Sequence, residues 1–432
     1  MKRYLSVVVL LGVIILFSCT SAPAPASSDG TYIPDDIAGL VHAIRTRAPT
    51  EMNYLESMGT RWILRTFFWA DIEPYPGEFD FLSLDAYVDT AEAAGLKVLG
   101  VLAYDNWWIH DDKNTHHYIP AEKIPYFLDY VRKTAEHFRG RVDAWAIWNE
   151  PNFHFWNGTD AEFIELSRQT AEAIREVDSE VILIGGGFIR NLTSFGVPEK
   201  FIRGLFESGA MDNVDVVAFH PYEFNPRRSS RIYNMFREIV ADYGFDDKIW
   251  VTEVGYPTGG WSPTKVNEKR FPEYVVKTWV SLASAGPQKI FWYQMFDPLN
   301  RSRRNSEHYF GLTRSVRDYT SKGAEAFRLC AMYLSDTICY PMDPQQFGLP
   351  KSVRLFWFSG AENSTLILWK DGLGSRQVKL QLPGTDHLMH DIVTGDSSSI
   401  TAEITIKAGR NPVFITWQTD TSNDEVPVIN AR

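Results

Sequence analysis

Eight short apolar runs, separated by amphipathic stretches, constrain this chain more than any other feature. They are Ile37–Val41, Trp62–Phe68, Lys97–Ala103, Val142–Trp148, Val181–Gly186, Val214–Phe219, Lys248–Thr252 and Lys289–Tyr293. Most are rich in Val, Ile, Leu and aromatics and alternate only weakly, the pattern of parallel strands buried on both faces. The stretches between them carry helical spacing. Leu84–Ala94 runs into Gly95, Ile124–Phe138 towards Gly140, and Phe271–Ala285 into Gly286-Pro287, while Ala161–Val177 repeats the pattern. Eight strand–helix units predict an α/β chain folded as a closed (β/α)8 barrel over residues 31–345. A doubly wound sheet is the competing arrangement, and it requires a Gly-rich phosphate loop after its first strand. None stands there. Gly185-Gly186-Gly187, after the fifth run, reads as a tight turn.

Beyond residue 350 the pattern changes. Val353–Phe358, Ser364–Trp369, Gln377–Leu382, Ile400–Ile406 and Pro412–Trp417 are short β-like runs joined by Gly, Asp and Ser turns. They predict a small antiparallel β-sandwich at 350–419, packed on the barrel, followed by a polar tail at 420–432.

The first residues read as a targeting segment. Lys2 and Arg3 precede an apolar stretch, Leu5 to Phe17, that is short for a membrane span and suited to a secretory signal. Residues 1–19 end at Leu16-Phe17-Ser18-Cys19, which resembles a bacterial lipoprotein processing site with Cys19 as the lipidated residue. An ordinary signal peptide cleaved nearby is the alternative. Both predict export, to the cell envelope through a lipid anchor or to the periplasm or medium. Residues 20–30, rich in Pro, Ala and Ser, read as a flexible tether. Cys330 and Cys339 remain, either as a disulfide or as two buried thiols.

A formal net charge of −11, with no basic run, argues against nucleic acid as a partner. No ligand pattern for a metal and no cofactor motif is evident. His116-His117 lacks a third ligand and reads as an exposed loop. Aromatic residues make up 14% of the chain, with 14 Trp. That excess suits a cleft where flat rings stack on sugars.

Barrels of this type place their chemistry at the C-terminal ends of the strands. Two carboxylates stand at such ends. Glu150 follows the fourth run in Trp148-Asn149-Glu150-Pro151, and Glu253 follows the seventh in Thr252-Glu253-Val254-Gly255-Tyr256. Strands four and seven lie on opposite sides of the mouth, so the two can face each other across a sugar. Cleavage of a glycosidic bond needs that pair: one acid to protonate the departing oxygen, one carboxylate to attack or shield the anomeric carbon. The environments must differ, so that one is protonated while the other is ionised. Arg65, ending the second run, is placed to keep Glu253 ionised.

These motifs resemble the clan A glycoside hydrolases, with an acid/base on strand four and a nucleophile on strand seven. "IEPYPGEFDF" at Ile72–Phe81 and "FGL" at Phe310–Leu312 are similar to members of families 39, 42 and 5. The resemblance implies a retaining glycosidase acting on a β-linked oligo- or polysaccharide, with Glu150 as acid/base and Glu253 as nucleophile. It further implies that Asn149 bonds the sugar 2-hydroxyl, Tyr222 orients Glu253, His220 lines the pocket, and Trp292, ending strand eight, forms an aromatic floor. Arg65 resembles the strand-two arginine of the clan.

Tyr104, Trp107 and Trp108 follow strand three as candidate sugar-binding rings, and Phe153, His154 and Trp156 follow Glu150 as candidate cleft walls. Loop packing is the competing reading for all six. Glu73 reads as a support for the second loop, Asp297 as a structural residue, and Arg301–Arg304 as a solvated loop or a contact to an acidic sugar. A surface barrel that binds glycans without cleaving them, and a transglycosylase sharing the same first step, are the competing functions.

Overall fold

The computed structural model describes residues 30–45, 49–111, 116–190, 196–315, 319–419 and 426–431. The expected signal, Cys19 and nearly all of the tether lie outside the described residues. Among the described residues no helix is long and apolar enough to cross a membrane.

After a short strand β1 (Thr31–Ile33), eight parallel strands close into a barrel: β2 (Ala38–Val41), β3 (Trp62–Phe68), β4 (Lys97–Ala103), β5 (Ala144–Ile147), β6 (Ile182–Ile189), β7 (Val216–His220), β8 (Ile249–Val254) and β9 (Lys289–Trp292). Each coincides with one of the eight apolar runs. β2, β5, β7 and β9 are buried along their whole length, which is why their sequences do not alternate. The helices pack outside. Asp160–Val177 starts at a capping box in which the Thr159 hydroxyl and the Glu162 carboxylate satisfy each other's backbone N–H groups. Ile124–His137 buries one stripe, including Phe127, Tyr130 and Val131.

The glycine run is not a turn. Gly185–Gly187 lies inside β6, where the register with β7 shifts between Gly186 and Phe188. Gly187 adopts φ +73°, and a Cβ there would sit 3.6 Å from the Glu150 amide nitrogen. The bare backbone lets β6 pass beneath the Glu150 segment.

The C-terminal module is larger than its sequence signature. Strands β10 (Thr337–Met342), β11 (Val353–Gly360), β12 (Asn363–Lys370), β13 (Arg376–Gln381), β14 (Thr385–His390), β15 (Ser397–Ser399), β16 (Glu403–Ala408), β17 (Val413–Gln418) and β18 (Val428–Ala431) form two sheets. The seven-stranded sheet runs β1-β10-β11-β12-β17-β14-β15, and the three-stranded sheet β16-β13-β18. Residues 428–431, expected in a polar tail, pair with β13, and β1 pairs with β10. Of Ile400–Ile406, read as one strand, only Glu403–Ile406 lies in a strand, β16; Ile400–Ala402 link β15 to it. The apolar run of β12 has a simple cause. Ile367 and Trp369 face the barrel's core, while Leu366 and Leu368 face the core between the two sheets.

Cys330 and Cys339 are buried free thiols. Burial pushes both well above the ordinary thiol range, so neither is a reactive thiolate at neutral pH.

Candidate active site

The Glu150 turn is held from several directions. Trp148 and Glu150 have φ of 62° and 46°, in the left-handed region that ordinary residues rarely occupy. The Glu150 amide donates to the Gly187 carbonyl at 3.0 Å. Asn152 donates to the Ile189 carbonyl at 2.7 Å and accepts from the Ile189 amide at 3.1 Å. The Trp148 indole donates to the Phe155 carbonyl at 2.8 Å. These bonds aim a carboxyl that is only 5% exposed into the barrel mouth.

There Glu150 Oε1 lies 2.8 Å from His220 Nδ1, and the other imidazole nitrogen lies 2.9 Å from the Thr252 hydroxyl. Glu253 Oε2 accepts from the Tyr222 hydroxyl at 2.9 Å and stands 4.0 Å from His220 Nδ1. One oxygen of each carboxylate and one imidazole nitrogen lie within 4.8 Å of one another. A cation there would compete with Glu150 or Thr252 for the imidazole, because both ring nitrogens are already engaged.

The two carboxyls sit in unequal surroundings. Burial pushes Glu150 up to about 8, with the Glu307 carboxylate adding to the rise. Burial pushes Glu253 to about 7; His220 and the Tyr222 hydroxyl draw it down, while Glu150 and Glu307 oppose them. Burial lowers His220, so its ring is neutral at pH 7, with one nitrogen donating and the other accepting. Burial thus raises both carboxyls of this coupled pair.

Beside the pair, at the ends of β2, β3 and β9, lies a cavity of about 590 Å³ walled by His42, Arg45, Arg65, Tyr87, Tyr293 and Glu307, among others. Burial holds the Glu307 carboxyl above the usual range, against the hydrogen bond from Tyr293. Burial, then Arg65 and Arg45, holds His42 down to about 4, so it too is neutral. A larger cavity of about 740 Å³ lies where the barrel meets the module, and none of its walls is one of these residues.

Most of the residues expected from sequence gather here. Asn149 donates to the Tyr104 hydroxyl at 3.0 Å, leaving its carbonyl oxygen for a sugar hydroxyl. The Tyr104 ring stacks on Phe155 at 5.5 Å. Trp107 stays 62% exposed, edge-on to Tyr75, on a turn tied down by bonds from Asn106 and Trp108 to the Glu73 carbonyl. Phe153 is partly exposed, whereas Trp156 is buried and donates to the Thr159 carbonyl, a packing role. The Glu73 carboxylate holds the Trp69 indole and the Gly77 amide, as a loop support should. Asp297 is buried against Lys322 at 2.9 Å.

Two expectations are corrected. Trp292 is not an exposed floor. It is fully buried against Phe271 and Tyr256, and the next residue, Tyr293, lines the cavity. Side chains alternate along a strand, so an error of one residue exchanges the mouth for the packing layer. Arg65 does not pair with Glu253. Its guanidinium lies 5.5 Å from the Tyr87 ring centroid, and its buried Nε has no hydrogen-bond partner. The Tyr222 hydroxyl, which donates to Glu253, is what favours its charged form. Sequence reasoning assigned no role to Thr252, although it stands within the quoted motif, and did not find His42, Arg45, Tyr293 or Glu307. Of these, Tyr293 was legible as the neighbour of Trp292.

Structures of glycoside hydrolases share this architecture. A family 39 glycoside hydrolase from Bacteroides cellulosilyticus WH2 superposes with a TM-score of 0.72 at 18% identity, over 89% of this chain and 81% of that one. A family 39 β-xylosidase from Caulobacter crescentus does so with a TM-score of 0.64 at 15% identity, over 92% and 98%. What the chain shares with them is the fold, a closed eight-stranded barrel with antiparallel sheets at the C-terminus. In sequence, the glycoside hydrolase family 42 profile, described as beta-galactosidase, matches residues 41–109. A Caldicellulosiruptor saccharolyticus protein described as a β-xylosidase is 30% identical over 148 residues. That match spans 29% of this chain and 30% of the relative, so the chain aligns with under a third of that protein's length.

Proposed function

We propose that this protein is a retaining glycoside hydrolase acting on a β-linked glycan or glycoside. The observation that carries the reading is the Glu150–Glu253 pair, with one oxygen of each within 4.8 Å and both carboxyls raised by burial. Inverting enzymes hold their carboxyls roughly 6.5–9.5 Å apart to admit a water, and retaining enzymes about 5–5.5 Å apart. The close spacing therefore favours direct attack by one carboxylate.

In the first step Glu253 attacks the anomeric carbon as the bond to the leaving oxygen breaks, and Glu150 gives that oxygen its proton. A covalent glycosyl ester on Glu253 results. In the second step Glu150, now ionised, takes a proton from water as the water attacks the same carbon and releases Glu253. Tyr222 fixes the attacking oxygen by its hydrogen bond. His220, between Glu150 and Thr252, fixes the acid. Asn149, held by Tyr104, presents its carbonyl oxygen to the 2-hydroxyl, a contact that strengthens as charge develops at the transition state.

The sugars named for the relatives, xylose and galactose in β-linkage, are the first substrates to test. Export, with Cys19 carrying a lipid anchor to the cell envelope, is proposed on the N-terminal sequence. Hydrolysis of a panel of aryl β-glycosides tests the activity, with NMR of the first-formed sugar to read its anomeric configuration. Release of the β-anomer is expected. The α-anomer would overturn the retaining assignment. Equal turnover by wild type and Glu253→Gln would remove Glu253 from the chemistry.

A further inference from the structure

The cavity beside the carboxylates carries an unusual charge arrangement. Arg45 and Arg65 both line it. Arg65 makes no hydrogen bond or ion pair among the described residues, and its Nε is buried without a partner. The Arg45 guanidinium reaches the Phe296 carbonyl at a long 3.4 Å. The acids nearby are engaged elsewhere. Glu51 accepts from the Arg45 backbone amide at 2.9 Å, Asp297 holds Lys322 and Arg301, and Glu307 bonds Tyr293. His42, between the two arginines, is neutral. Arg45 is itself lowered by burial and by Arg65, so the two cations feel each other.

Two guanidinia that line one cavity and pair with none of its carboxylates repel, and the buried Arg65 Nε lacks an acceptor. A chain of net charge −11 has abundant acid with which to neutralise such a pair. Guanidinium forks match planar or tetrahedral oxyanions and bind them through charge-assisted bonds. At about 590 Å³ the space falls within the ordinary range of small-ligand pockets.

We propose that this cavity receives an anionic group on the sugar bound beside Glu253, a carboxylate of a uronic acid or a sulfate ester, held by Arg45 and Arg65. The substrate class is then an acidic glycan. This deepens the glycosidase reading, and its test is one of binding, so that the two can fail separately.

Isothermal titration of the Glu253→Gln protein with glucuronate, galacturonate and galactose 6-sulfate, each beside glucose or galactose as its neutral parent, measures the preference without turnover. At least one anionic sugar should bind about tenfold or more tighter than its parent, as expected of a charge-assisted contact. A gain confined to the uronates identifies the carboxylate, and one confined to the sulfated sugar identifies the ester. Arg45→Gln should bring the ratio, taken against the neutral parent in the same variant, to about one. Arg45→Lys, which keeps the charge without the fork, should restore part of it. Equal binding of charged and neutral sugars, or a preference that survives Arg45→Gln, overturns the proposal. A preserved preference with no hydrolysis of any glycoside would count against the glycosidase reading alone. Hydrolysis of neutral glycosides with no anionic preference would count against this inference alone.

Discussion

The barrel mouth and the barrel–module junction both gather charge around a cavity, and they treat it in opposite ways. At the junction the charges are matched. Asp371 accepts from Arg354 at 2.9 Å and from the Trp369 indole at 3.1 Å, and pairs with Arg227 at 3.2 Å. Glu273 is buried between Lys277 at 2.9 Å and Arg270 at 3.0 Å. At the mouth, two carboxyls are buried together with their proton affinities raised, and Arg65 stands without an ion-pair partner among the described residues. Of these matched pairs, Arg227–Asp371 ties the barrel to the module, and the others are local to one or the other. Unmatched charge is a site whose balance is completed by something that binds or reacts. This is why the mouth, and not the larger cavity, is the candidate active site.

The widest separation of the two regions should come from the carboxylates. Glu253→Gln is expected to lower kcat by on the order of 10⁴-fold, with circular dichroism and melting unchanged or improved. Glu150→Gln should cost about 10²–10⁴-fold, most for substrates with poor leaving groups. At the junction, Asp371→Asn should do the reverse. Stability in urea should fall by about 2 kcal/mol, less than for a fully buried pair because Arg227 and Arg354 are half-exposed, while kcat/KM stays the same. A large loss of activity at equal stability in that variant would collapse the distinction.

Subtler changes sharpen it. Tyr222→Phe removes a hydrogen bond that favours the ionised nucleophile, so the acidic limb of the kcat/KM profile should move to higher pH, with about a tenfold loss at neutral pH. Stability should also carry the mark of the mouth. Between about 4.5, where Glu150 ionises in the unfolded chain, and about 8, the native state keeps a proton that the unfolded state has lost. Through that window this group makes the protein less stable as pH rises, by at most about 1.4 kcal/mol per pH unit. Glu150→Gln should flatten that slope, which urea melts at pH 5 and pH 8 will measure.

The same contrast explains what the sequence reveals. The barrel strands are legible because burial on both faces writes an uninterrupted apolar run, and Glu150 and Glu253 because each follows such a run in a distinctive motif. β15, which reads Ser-Ser-Ser, and β18 have no such signature, since their residence in a sheet is decided by partners distant in the chain. Trp292 was misread by a single step of the pleat. Arg65 was placed in the correct pocket and given the wrong partner, because a strand end fixes where a side chain starts and its neighbours fix what it touches. Glu307 and Arg45 come from loops whose course no local pattern encodes. The two carboxyls that meet at the barrel mouth were therefore readable, and the loop residues that wall the cavity beside them were not.

The central claim is that Glu253 becomes covalently glycosylated while Glu150 supplies and recovers the proton. Trapping tests it most directly. The protein is incubated with a 2-deoxy-2-fluoro glycosyl fluoride of whichever sugar it hydrolyses, then digested and sequenced by mass spectrometry. One fluoroglycosyl unit on the peptide containing Glu253, absent in Glu253→Gln, is the predicted result. A label on Glu150, or continued turnover with no label at all, would contradict the account.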